Sequence, residues 1–268
     1  MTAAYAKNRF VYANIISEIA ENNKAGVVKV SSFIGCKIKY FQYFEQMRSL
    51  LLILSFLCIL SVGAQNLPKG FSYLSDIDST IQIELRYLSH HNFMGTPVDG
   101  YQKNVIIVST QAATALQKVQ SQLRPFGLGL KIYDAYRPQQ AVDHFMRWAR
   151  VLSDTLMKQE YYPNVAKEEV FQSGYIASRS GHTRGSSVDL TIVDVKTGEE
   201  LDMGSAWDFF GTPSHPDYPN LNKQQRANRS LLRNLMLEAG FNPYEKEWWH
   251  FTLSDEPFPN TYFNFPVR

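Results

Sequence analysis

Two short stretches carry the residue types that could do chemistry. The first runs Ser178-Arg179-Ser180-Gly181-His182-Thr183-Arg184-Gly185-Ser186-Ser187-Val188-Asp189-Leu190, with an imidazole at His182 and a carboxylate seven residues on at Asp189. The second, Glu247-Trp248-Trp249-His250-Phe251, adds another imidazole and another carboxylate, three apart. Two His and one Asp make a three-ligand set for zinc with a fourth position open, as catalytic zinc sites have. The carboxylate left over is what metal-assisted hydrolysis needs as a proton acceptor. Each stretch also has a plainer reading. His182 with Asp189 reads equally as a turn histidine and a capping carboxylate. Glu247 reads as a surface residue beside an aromatic strand. On a regular strand Glu247 and His250 would face opposite sides. If both serve one site, Glu247 must sit before the strand, on a turn or bulge.

These residues need elements to hold them. Ser186 to Val193 alternates as a strand, with Val188, Leu190 and Ile192 toward a core and Ser187, Asp189 and Thr191 toward the site. His182 lies in the Gly-flanked loop before it. Trp248 to Leu253 reads as a last strand, and Leu128 to Ala135 and Thr80 to Tyr87 as two more. Ser109 can cap a helix to Leu123, closed by Pro125 and Gly127. Pro138 suits the first turn of a helix carrying Ala141, Val142, Phe145, Trp148, Ala149 and Leu152. Residues 153–177 read as short helical pieces, and 211–222 as a polar loop. Lys223 to Ala239 is a helix with Ala227, Leu231, Leu232, Leu235 and Met236 inward, closed by Gly240. Gln65 to Ser79 reads as a polar lead-in, and His90 to Tyr101 as an aromatic loop that packs under something or lines a pocket. Helices and strands mix without a βαβ rhythm, which predicts an α+β domain with a central antiparallel sheet flanked by helices.

The chain has 268 residues, 44% apolar and 19% charged. Met47-Arg48-Ser49 opens a short basic segment, Leu50 to Val62 is an apolar run, and Val62-Gly63-Ala64 places small residues before Gln65. That is the pattern of a signal peptide over 47–64, cleaved after Ala64. Thirteen apolar residues are too few to span a bilayer, so no stable membrane insertion is expected after cleavage. Residues 1–46 then read as an over-extended start or as disorder; the alternative is a real extension with an anchor at 50–62. Seven of the 27 Lys/Arg and three of the 25 Asp/Glu fall in 1–64, which leaves the remainder at about −2. That balance leaves no footprint for nucleic acid. Both cysteines, Cys36 and Cys58, also fall in 1–64, which excludes a Cys-ligated metal. Residues 65–268 suffice for one domain with a sizeable core. His90, His91, His144 and His215 lack a supporting carboxylate pattern and read as surface or core histidines.

The chain resembles the D-alanyl-D-alanine dipeptidases, the VanX-like zinc peptidases. The matching pieces are Leu85-Arg86-Tyr87, Asn92-Phe93-x-Gly95-x-Pro97-Val98-Asp99-Gly100-Tyr101 and Asp134-Ala135-Tyr136-Arg137-Pro138. They continue through Ser180-x-His182-x-Arg184-Gly185-Ser186-x-Val188-Asp189-Leu190-Thr191, Met203-Gly204-Ser205-x-x-Asp208-Phe209 and Glu247-Trp248-Trp249-His250-Phe251. The match runs in order through nearly all of 71–253, with no catalytic departure. The resemblance implies a small α+β domain that hydrolyses D-Ala-D-Ala and related D,D-dipeptides. It implies that His182, Asp189 and His250 bind one zinc ion and that Glu247 acts as general base. It implies that Arg137 stabilises the oxyanion, and that Ser180 and Asp208 hold the substrate ammonium. The leader implies action in the periplasm or elsewhere outside the inner membrane, and so scavenging or turnover of dipeptides. Two rivals stand beside this reading: a D,D-carboxypeptidase or endopeptidase acting on peptidoglycan stems, and a non-catalytic wall-binding domain.

Overall fold

The structure, a computed structural model, describes Arg48 and residues 67–268 apart from Ser173. The apolar run Leu50 to Val62 and the cleavage point after Ala64 lie outside the described residues, as do 1–46. Leu67–Arg268 forms one compact unit. Among the described residues, no helix is long and apolar enough to cross a membrane.

The strand predicted around Asp189 is the middle of the molecule. This strand, β5 (Ser187–Asp194), is buried along almost its whole length because neighbours cover both its faces. It pairs antiparallel with β4 (Leu128–Asp134) on one side and with β7 (Glu247–Leu253) on the other. β7 pairs antiparallel with β6 (Phe241–Tyr244), and β2 (Gln82–Ile83) adds a short parallel edge beside β4. The order β2-β4-β5-β7-β6 is thus antiparallel except at that two-residue edge. A second sheet of two strands joins β1 (Phe71–Tyr73) to β3 (Ile107–Ser109). A single helical turn, α1 (Leu74–Ile77), follows β1. The domain is α+β, as the mixed pattern predicts.

Two long helices pack on the sheet. In α2 (Thr110–Leu123) the Ser109 side chain caps the first turn, and Ala112, Leu116, Val119 and Leu123 turn inward. In α5 (Lys223–Glu238) Asn222 and Gln225 form a reciprocal capping box. Its inward face differs from the expected one. Ala227 and Leu231 are exposed, and Asn228 and Arg229 are buried beside Leu232 and Met236. The cause is hydrogen bonding. Arg229 donates to the carbonyls of Met203, Pro213 and His215 at 2.6–2.7 Å, and Asn228 donates to Asp202 O at 2.9 Å. α5 therefore holds the loop between β5 and itself with polar side chains where the sequence pattern placed apolar ones. Burial brings Arg229 down to about 10, still cationic near neutral pH.

Between β4 and β5, α3 (Gln139–Arg150) follows Pro138, which stands as the N-cap residue, and a one-turn helix α4 (Lys158–Tyr161) breaks the long loop. The strand expected over Thr80 to Tyr87 is shorter than predicted, and the chain turns into a 3-10 turn at Arg86–Leu88. The Gln65 to Ser79 lead-in is not a loop throughout, since it contains β1 and α1. Phe71 of β1 is surrounded by Phe258, Phe263 and Phe265 at ring separations of 4.9–5.5 Å, so the C-terminal tail closes the core behind the site.

Candidate active site

Residues directly opposite one another in an antiparallel pair share a face. Asp189 stands opposite Asp134 in the β4–β5 pair and opposite His250 in the β5–β7 pair. Those registers alone line up Asp134, Asp189 and His250 in one row across three strands. His182 joins the row from a 3-10 turn, Gly181–Arg184, just before β5. Ser180 starts that turn by accepting from His182 N, and Gly185 ends it at φ 85°. A Cβ on Gly185 would overlap the Phe71 ring, so both conformation and space require glycine there.

The hydrogen bonds fix which imidazole nitrogens face the centre. His182 Nδ1 lies 2.7 Å from Ala135 O, and a carbonyl only accepts, so Nδ1 carries the proton and Nε2 a lone pair. His250 Nε2 lies 3.3 Å from Thr252 Oγ1, which is 2.8 Å from Ser187 Oγ. In the tautomer that donates Nε2–H to Thr252, His250 turns the lone pair of Nδ1 inward. His182 Nε2 is 3.1 Å from His250 Nδ1 and 3.3 Å from Asp189 Oδ1, and His250 Nδ1 is 3.0 Å from Asp189 Oδ1. Three lone-pair-bearing atoms converge, a set suited to a metal ion. Burial raises the cost of ionising Asp189, but His182 and His250, when their ring nitrogens facing it carry a proton, outweigh that cost and hold the carboxyl far below its usual range. With those nitrogens deprotonated, the three atoms are all acceptors.

Glu247 stands beside this set and outside it, its Oε2 3.9 Å from His250 Nδ1. The condition read from the sequence is met by a register shift. Phe241, Asn242 and Pro243 pair in step with β7, and then Tyr244 pairs with Glu247 across an irregularity. The shift puts Glu247 on the His250 side of the strand. Burial pushes its carboxyl up to about 7, with Asp189 adding repulsion and His250 and Arg137 opposing.

Arg137 is held firmly. Its Nε and one terminal nitrogen reach Asp134 Oδ2 at 2.9 and 2.8 Å, and that terminal nitrogen is 3.6 Å from Asp189 Oδ2. The guanidinium lies 5.1 Å from the Tyr87 ring centre and 5.2 Å from that of Phe145. Asp134 accepts in turn from Tyr101 Oη at 2.7 Å. Asp208 is buried and takes φ 62°, the one positive φ outside glycine among the described residues. This left-handed conformation is sparsely populated for residues other than glycine, though Asp tolerates it better than most. Tyr87 Oη donates to Asp208 Oδ2 at 2.7 Å. Burial pushes the Asp208 carboxyl well above its usual range, and Asp189 pushes the same way against Tyr87 and Arg137.

Arg137, Ser180, His182, Asp189, Asp208, Glu247 and His250 all line one cavity of about 300 Å³. That is the small end of ligand pockets. Sequence reasoning missed two residues that position this set, Asp134 and Tyr87. Asp134 had a signal in its spacing, a carboxylate three residues before Arg137 at a strand end. Tyr87 had none, because it meets Asp208 across 121 residues. The four histidines set aside as non-ligands stay out of the metal set; His144, for one, pairs with Asp99 at 3.4 Å.

An α+β domain that gathers two His and one Asp, able to hold a metal ion, at its central sheet with a further carboxylate beside them has the build of a metallopeptidase. Residues 68–268 match the family described as D-ala-D-ala dipeptidase, and the chain belongs to that family of metallopeptidases. The D-alanyl-D-alanine dipeptidase of Enterococcus faecalis is 43% identical over 201 residues, 75% of this chain and 100% of the relative. That of Streptomyces coelicolor is 42% identical over 197 residues, 74% of this chain and 98% of the relative. That of Escherichia coli is 35% identical over 180 residues, 67% and 82%. A solved Zn(II) complex of the vancomycin resistance D,D-pentapeptidase VanY gives 14% identity and a TM-score of 0.34 over 65% of this chain and 87% of that one. That likeness is too slight to bear on the site.

Proposed function

We propose that this protein hydrolyses D-Ala-D-Ala to D-alanine with one zinc ion held by His182, Asp189 and His250. The observation that carries the reading is the convergence of three lone pairs with Glu247 close by but outside the set. The donor chemistry fits zinc. Two ligand atoms about 2.1 Å from a tetrahedral ion stand roughly 3.4 Å apart, and here the three separations are 3.0, 3.1 and 3.3 Å. When bound, zinc supplies a Lewis acid at the scissile carbonyl and acidifies water for attack on it.

The chain's own residues do the rest. Glu247, near neutral in its pKa, takes the proton from the attacking water and passes it to the leaving amine. Arg137, tied to Asp134 and backed by two rings, holds its charge toward the oxygen that becomes negative. Asp208 and Ser180 bind the free ammonium. The substrate cation supplies what burial denies Asp208, a partner that keeps it ionised. A fixed anion at one distance from the metal set accepts a free amine and excludes a longer chain on that side. This is why the dipeptidase reading is preferred to stem-peptide cleavage. A wall-binding domain would have no use for Glu247 or for Arg137.

The deciding experiment gives purified protein D-Ala-D-Ala, L-Ala-L-Ala and a stem pentapeptide, with zinc content measured. About one zinc per chain and cleavage of the D,D-dipeptide alone are expected. Turnover of the pentapeptide in preference to the dipeptide would replace this reading with the carboxypeptidase one. The amine anchor has its own test. Asp208→Ala is expected to lower kcat/KM on D-Ala-D-Ala by about 10–100-fold, the worth of a charge-assisted hydrogen bond. Turnover of an N-acetylated substrate should hardly change, and an equal loss on both would remove Asp208 from this role.

We further propose that 47–64 is a signal peptide and that 65–268 works outside the inner membrane, on dipeptides from wall turnover. The support is the basic start, the apolar run and the small residues before Gln65. Expressed from Met47, the protein should appear outside the inner membrane with Gln65 at its N-terminus. Intact protein in the cytoplasm would end that proposal.

A further inference from the structure

The dipeptide substrate of the proposed reaction carries a charge at each end, and only the ammonium has been given a partner so far. Two residues extend at most about 7 Å, so the carboxylate also lies inside or at the mouth of the cavity. It meets a wall that carries three carboxylates, Asp189, Asp208 and Glu247. A carboxylate entering there needs a cation of its own.

Two arginines line the cavity, Arg137 and Arg179. Arg137 is engaged by Asp134 and Asp189 and lies against two aromatic rings. Arg179 differs in its partners. Among the described residues it has no carboxylate partner. Its guanidinium lies over the Tyr262 ring at 5.2 Å. Packing against a ring face holds a guanidinium in place and leaves its in-plane N–H donors free. Tyr262 is exposed, but the backbone that carries it is tied down at the next residue, where Phe263 donates to Thr183 O at 3.0 Å and packs against Phe71 at 4.9 Å. Arg179 precedes Ser180, which starts the turn that carries His182. The cation is thus three residues before His182, immediately ahead of the turn that positions it.

We propose that Arg179 anchors the C-terminal carboxylate of the dipeptide. With Asp208 for the amine and Arg179 for the acid, the cavity recognises a zwitterion with both ends free. The inference rests on the dipeptidase reading and adds to it a requirement for a free carboxylate. Arg179 acts in binding. It belongs to the leaving residue's end of the substrate and takes no part in proton transfer, so its loss should appear in KM.

The test compares D-Ala-D-Ala with its C-terminal carboxamide on wild-type protein, Arg179→Gln and Arg179→Lys. Arg179 is exposed, so neither substitution removes core packing. Wild type should favour the free acid. Arg179→Gln should raise KM for the acid about tenfold, a charge-assisted contact discounted for exposure, with kcat within about twofold. Its KM for the carboxamide should stay unchanged, and Arg179→Lys should recover part of the preference. An equal KM rise on both substrates would make Arg179 only a clamp on Tyr262 and overturn the proposal. So would an unchanged KM for the acid in Arg179→Gln. Wild-type protein inactive on both substrates would instead overturn the dipeptidase reading itself, a result that no Arg179 variant can produce.

Discussion

Glu247→Gln is expected to lower turnover of D-Ala-D-Ala by roughly 10²–10⁴-fold, the range of a lost general base, with metal content unchanged. Glutamine keeps the shape and hydrogen-bonding reach of the side chain but cannot accept a proton. Glu247 lies outside the coordinating set, so the three ligand atoms are untouched. The pH profile gives a second readout. Burial raises Glu247 to about 7, and a cation held by the neighbouring set would pull it back down. The base works only when ionised. The acid limb of kcat/KM should therefore rise with pH and have its midpoint below about 7. In Glu247→Gln that limb should vanish from the residual activity. Loss of zinc in this variant would mean that Glu247 is a ligand and not a base.

Arg137→Gln should lower kcat by about 10²–10³-fold, as removal of one oxyanion donor does. It should also destabilise the fold by roughly 3–5 kcal/mol, the cost of leaving a buried charge without its partner. The charge so stranded is Asp134, which is fully buried. These two effects can be separated. In the double variant Arg137→Gln/Asp134→Asn no carboxylate remains to be stranded, while the new side-chain amide oxygen can still accept from Tyr101. Denaturant unfolding should recover most of the lost stability, and kcat should stay low. Recovery of kcat together with stability would show Arg137 to be a structural clamp only.

The convergence of His182, Asp189 and His250 was legible because they lie in short, chemically loaded stretches and because strand alternation placed Asp189 on the site side. The condition set on Glu247, that it must leave the regular strand, was legible for the same geometric reason. The hairpin strand β6 was not. It contains Pro243, a strand-breaking signal in most settings, which is tolerated because β6 is the edge of the sheet. β1 and the C-terminal aromatics were also unreadable. Their packing joins residues nearly two hundred positions apart, and no local period records it. The inward face of α5 misled for a different reason. Arg229 is buried to satisfy carbonyls of a distant loop, and a hydrophobic pattern has no means of showing that.

The registers that assemble the site have a thermodynamic corollary. His182 and Asp189 are near one another in the chain, but His250 is separated from them by 68 and 61 positions and by the whole of α5. An unfolded chain can offer an ion at best the local pair. The complete set exists only where β5 and β7 are paired. An ion that prefers the complete set must therefore raise the free energy of unfolding, by about 4 kcal/mol when its concentration is a thousand times its dissociation constant. If zinc is the ion, the melting temperature should climb with free zinc and fall when a chelator removes it. By that linkage a bound ion would make opening of the β5–β7 pair rarer, as well as enabling the chemistry.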